Sequence, residues 1–164
     1  MSLLWMSWLA LSVGCQYQVP LADKQDIPVD PSVIGLWEEA SEPSNRMLVV
    51  KYTDTDYLIQ YPTGTNGLFF RGYPIKVEGI DCVQIQFVGK ADGRLKDEDR
   101  NYHVVTYTTA NGELTVRMLS TALVDKGLAR TAELRAAFRK NKANKDLFLE
   151  PELFRQVSPE LPAK

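Results

Sequence analysis

The chain has 164 residues, the length of one domain, and its 45% apolar side chains are enough to fill one core. Lys and Arg number 19 against 21 Asp and Glu, a net charge of −2, which argues against a chain built to wrap nucleic acid and gives no reason to expect a strongly charged substrate. Aromatics at 10%, with many β-branched residues beside them, exclude a disordered protein.

The first residues, MSLLWMSWLALSVG, carry no charged side chain and lead directly into Cys15. An apolar run of this length ending in small residues is the core of a secretory signal. It falls short of the roughly 20 apolar residues that a membrane-spanning helix needs. Leu11-Ser12-Val13-Gly14-Cys15 resembles the lipobox of bacterial lipoproteins, in which a small residue precedes a cysteine that becomes acylated. Ser12 stands where that pattern usually has leucine, and no Lys or Arg precedes the apolar run. The resemblance implies that residues 1–14 are a signal peptide and that Cys15 carries acyl chains, palmitate among them; two or more chains hold a protein stably on a membrane. It also implies a place in the cell envelope, with Gln16 after the cysteine favouring the outer membrane facing the periplasm. The competing reading buries residues 1–14 in the fold, with Cys15 a small apolar residue or a partner for Cys82. If Cys15 is acylated, Cys82 is an unpaired thiol in the core of a strand.

Residues 15–32 contain three prolines and several charges without periodicity, the texture of an extended, flexible tether. Strand signals separated by turn residues follow. VIGLWEEA (33–40), RMLVVKYT (46–53), YLIQYP (57–62), LFFRGYPIKV (68–77) and CVQIQFVG (82–89) are the first five, with KADGRLKDEDR (90–100) a charged loop. YHVVTYTT (102–109) and ELTVRML (113–119) flank an Asn111-Gly112 turn, the strongest local sign of a hairpin. About seven strands at this spacing predict an antiparallel barrel or sandwich. Thr131 is placed to cap a helix over 132–142, whose Leu134 and Phe138 share one face. Leu147, Phe148, Leu153 and Phe154 read as plugs against the sheet, and 158–164 as a frayed tail. The expected domain is therefore 33–157.

Chemistry is thin along this chain. The single histidine, His103, sits within a strand and reads as structural, with no G-x-S-x-G elbow to pair it with a nucleophile. His103 and Cys82 are too few to hold zinc. The run Lys96-Asp97-Glu98-Asp99-Arg100 lacks the alternate spacing of a calcium loop, and GTNG (64–67) lacks the ending of a phosphate loop. The basic residues Arg130, Arg135, Arg139, Lys140, Lys142 and Lys145 read as an ordinary solvated helix face. No enzyme activity, metal or cofactor is expected.

Gly35-Leu36-Trp37, opening the first strand, resembles the G-x-W of lipocalin-like (calycin) barrels. In that family the tryptophan packs across the closed end and an arginine from a late strand lies over it; the resemblance implies that Arg117 does so here, as a cation–π contact. It covers about residues 33–120 and implies a barrel left open, or one completed by a strand from 147–157. Such barrels are just wide enough to hold one small ligand. Tyr52, Tyr57, Tyr61 and Phe69 are candidates to line its interior. Tyr73, Phe87 and Tyr107 complete that set, strand register deciding which of them point inward. The expected function is a lipid-anchored, non-catalytic binding protein for a small apolar or amphipathic molecule. The alternative is an accessory or inhibitor lipoprotein docking on a periplasmic protein through an exposed patch near Leu68-Phe69-Phe70 or Phe148.

Overall fold

A computed structural model describes residues 16–157 except 92, 94, 97 and 98. The expected signal peptide 1–14, Cys15 with its expected lipidation, and the tail 158–164 lie outside the described residues. Eight strands follow in chain order: β1 (Gly35–Glu39), β2 (Arg46–Lys51), β3 (Tyr57–Tyr61), β4 (Leu68–Val77), β5 (Ile80–Lys90), β6 (Tyr102–Ala110), β7 (Glu113–Met118) and β8 (Glu152–Gln156). One helix, α1 (Thr131–Asn141), lies between β7 and β8. Every neighbour pair is antiparallel and β8 pairs back onto β1, closing the barrel. The fold is mainly β and lipocalin-like in shape.

The seven strands read from alternation are all formed, and the eighth comes from the 147–157 segment. Its bonding to both β7 and β1 leaves no open edge. The β6–β7 hairpin turns at Asn111 and Gly112, both at positive φ (52° and 76°), a backbone that Asn and Gly adopt at little cost. A register shift between Phe69 and Phe70 bends the β4–β5 pair, the longest in the barrel.

Two cores result. One fills the barrel with inward residues of every strand, including Trp37, Val49, Ile59, Phe70, Val105 and Phe154. The other lies outside the wall, where Tyr73, Ile75, Val77, Cys82 and Val104 face outward from β4, β5 and β6. Leu134 and Phe138 of α1 pack onto that wall with Leu119, Val124 and Leu147. Burial on both faces explains why apolar residues stand side by side in these strands, Cys82 and Val104 serving the outer core and their neighbours Val83 and Val105 the inner one. Thr131 is the first residue of α1 rather than its cap, and its hydroxyl donates to the Pro20 carbonyl at 2.9 Å.

The N-terminal segment departs from the tether expected of it. Tyr17 pairs with Tyr102 through two backbone hydrogen bonds of 2.8 and 2.9 Å, and Tyr17 and Leu21 are buried in the outer core. Gln84, fully buried on the outward face of β5, holds this strap. Its amide oxygen accepts from the backbone N–H groups of Leu21 and Ala22, and its NH₂ donates to the Ala22 carbonyl. Prolines and charges hid the packing because only two anchoring side chains, four residues apart, carry it.

Candidate functional site

Strand register decides which side chains enter the barrel. Pairing Tyr57 with Gly72, Gly72 with Ile85 and Ile85 with His103 sets one inward phase across β3 to β6. Leu114, Val116 and Met118 on β7 and Glu152, Phe154 and Gln156 on β8 continue it. Tyr57, Tyr61 and Tyr107 therefore line the interior. Phe87 points inward as well, packed against Phe70 at a ring separation of 5.3 Å. The other three expected lining residues do not. Tyr52 is 65% exposed beyond the end of β2, Phe69 is on the outer phase of β4, and Tyr73 is buried in the outer core.

One end of the barrel is closed by the turn at Pro31–Val33 and by Trp37, whose indole N–H donates to the Val33 carbonyl at 2.9 Å. Asp30 ties this end together: its backbone N–H donates to the Tyr57 hydroxyl at 2.6 Å, and its carboxylate accepts from the Tyr107 hydroxyl at 2.8 Å. Burial works against the Asp30 charge, but hydrogen bonds from Ser32 and Tyr107 outweigh it and hold the carboxyl below its usual range. Gly35 and Trp37 occupy the place that the G-x-W resemblance implies. Arg117 does not. It faces outward from β7, opposite Thr106, and its Nε donates to the Leu149 carbonyl at 2.9 Å. The last strand presents Gln156 beside Trp37 instead.

Between the closed end and the far end the interior is not filled. Two adjoining voids of about 80 Å³ each share Met47, Ile59, Ile85, Val105 and Val116 as walls. The first extends past Met118, Phe154 and Phe70 to three polar side chains, Tyr61, His103 and Glu152. Glu39, two residues beyond Trp37 on the same inward phase, lies at this end and is 3% exposed. Its carboxylate accepts from the Tyr61 hydroxyl at 2.8 Å, from the Asn45 amide at 3.1 Å and from the Ser41 hydroxyl. Burial, with the Glu39 charge next to it, pushes the Tyr61 hydroxyl up, so it donates rather than ionises. Burial and then the Glu39 charge push the Glu152 carboxyl up to about 7. Among the described residues no donor holds that carboxyl.

Glu39, Glu152 and the inward placement of His103 were not read from the sequence as a group. A signal existed for the two acids, since each shares the phase of a large aromatic two residues away, Trp37 or Phe154. Cys82 is a buried free thiol on the outer face of β5, and burial pushes it up to about 12, an inert state. Of the residues considered for protein docking, Leu68 and Phe70 turn inward, Phe69 is half-buried on the outer phase of β4, and Phe148, also half-buried, packs edge-on against Phe138 at 6.3 Å.

No family model, no curated protein and no solved structure matches the chain.

Proposed function

We propose that this protein is a non-catalytic binding barrel that holds a small, mainly apolar molecule in its interior and is anchored to the cell envelope, at the outer membrane, through acyl chains on Cys15. The observation that carries the binding reading is the pair of adjoining apolar voids inside a closed barrel wall. Interiors pack with few gaps larger than water, so an unfilled, apolar barrel centre costs dispersion energy that a ligand restores. A dry apolar cavity of about 150 Å³ accommodates benzene, which sets the ligand scale here at a single ring or a short chain. Met47 and Met118, unbranched and adaptable, permit some variation in shape. The anchor rests on the resemblance of Leu11 to Cys15 to a lipobox.

Methyl NMR during titration with toluene tests the binding reading. Shifts confined to Met47, Ile59, Ile85, Val105 and Val116, and lost when Val116→Phe fills the shared wall, are the expected result. Shifts absent, or unchanged in the filled variant, contradict it. Intact mass of the membrane-extracted protein tests the anchor: residues 15–164 plus acyl chains, lost in Cys15→Ala, against an unmodified full chain.

A further inference from the structure

We propose that the ligand of this barrel is a compact apolar amine, its ring or chain lying in the shared void and its ammonium group seated on Glu152, with the buried Glu39 charge beside it. The proposal deepens the binding reading and rests on it. The apolar walls exclude a polar ligand body, and the polar end selects the head group. Glu152 from β8 lines the first void, and Glu39 from β1, paired with Phe154 two residues along β8, sets its charge beside Glu152 from outside the lining; neither void has a Lys or Arg in its lining among the described residues. A carboxylate ligand entering head first meets like charge in a poorly solvated space and is disfavoured. An ammonium meets acceptors.

The two acids have different roles. Glu39 is fixed by three donors, Tyr61, Asn45 and Ser41, and is aimed before any ligand arrives. Glu152 lines the void and lacks such a donor among the described residues, so its oxygens are available to accept from a ligand. Its neighbour Glu39 is also a charge that disfavours its ionisation, so a cation bound at Glu152 offsets the repulsion and gains charge-assisted hydrogen bonds. An alcohol of the same shape, with a neutral hydroxyl in place of the ammonium, gains less, because it satisfies the acceptors without relieving the charge. Tyr61 from β3 and His103 from β6 also face this space, and protonation of Glu152 acts against a bound cation.

Calorimetric titration of the protein at about pH 8 with toluene, benzyl alcohol, benzylamine and benzoate tests the assignment. Toluene binding alone reports the void, and the ranking of the other three reports the head-group site. The expected result is benzylamine tighter than benzyl alcohol by about tenfold or more, benzoate weakest, and the amine preference lost in Glu152→Gln with toluene binding kept. Toluene bound with no amine preference, or with benzoate preferred, overturns this inference and leaves the binding reading standing. Failure of all four overturns both. Amine preference retained in Glu152→Gln overturns the role of Glu152. Should that variant lose toluene as well, the unsubstituted protein decides. The amine preference must fall between about pH 8 and pH 5.5, where benzylamine stays protonated, with toluene binding unchanged; a constant ratio overturns the proposal.

Discussion

Replacing Glu152 by Gln stabilises the folded protein at alkaline pH and changes little in acid. The Glu152 carboxyl ionises near 4.5 when free of the fold and near 7 inside it, because burial and the Glu39 charge both oppose ionisation. Between those values the folded chain binds more protons than the unfolded one, so stability falls as pH rises through that window. The contribution is fully present below about 4.5 and is lost once pH passes about 7. The gap corresponds to ~3 kcal/mol, and the solvent that still reaches this part-exposed side chain reduces it to ~1–2 kcal/mol. Glutamine keeps the shape and cannot ionise, so the variant avoids that loss. Urea unfolding of both proteins at about pH 4.5 and about pH 8.5, compared at equal m-value, isolates the effect. Asp30, held below its usual range, adds a slope of opposite sign that is common to both proteins and cancels in the difference. A variant no more stable than the parent at pH 8.5, or stabilised equally at both pH values, refutes the reasoning.

Other predictions follow from the same packing. Gln84→Leu leaves the Leu21 and Ala22 N–H groups without their acceptor in a buried site; the expected cost is ~2–4 kcal/mol, with faster hydrogen exchange confined to 17–22, and unchanged exchange there would discredit the strap. Trp37→Phe removes the indole bond to the Val33 carbonyl at a cost of ~1 kcal/mol, whereas Trp37→Ala opens the closed end and costs ~3–5 kcal/mol, both measured by denaturant unfolding. Arg117→Ala, removing only a half-exposed bond to a loop carbonyl, shifts stability by less than ~0.5 kcal/mol; a loss as large as that of Trp37→Ala would show that the arginine does cover the tryptophan.

The legible part of this fold was the alternation of short apolar and polar residues. It located β1 to β7, the Asn111-Gly112 turn and α1, because those features depend on neighbours in sequence. Closure was left between two outcomes, since β8 is five residues long and is defined by partners more than thirty residues away in β7 and over a hundred away in β1. The aromatic candidates divided the same way. Tyr57 and Tyr61 share one phase of β3 and both enter the barrel. Tyr73, on the other phase of β4, serves the outer core, whose existence depends on the strap and α1 arriving from opposite ends of the chain. Arg117 faces outward for a related reason: it pairs with Thr106 on the outer phase of β7, which three residues of motif cannot reveal. The acids of the void escaped notice because a carboxylate flanked by other charges, as in Glu38-Glu39 or Glu150-Pro151-Glu152, reads as surface until the register turns it inward.

The central claim is that the barrel is hollow and dry at its centre. A crystal structure determined under xenon pressure tests this most directly, since xenon enters dry apolar cavities without needing a polar partner. The expected result is a xenon atom enclosed by Met47, Ile59, Ile85, Val105 and Val116, absent in Val116→Phe. An interior closed by side chains at that position, with no xenon inside the barrel wall, would contradict it.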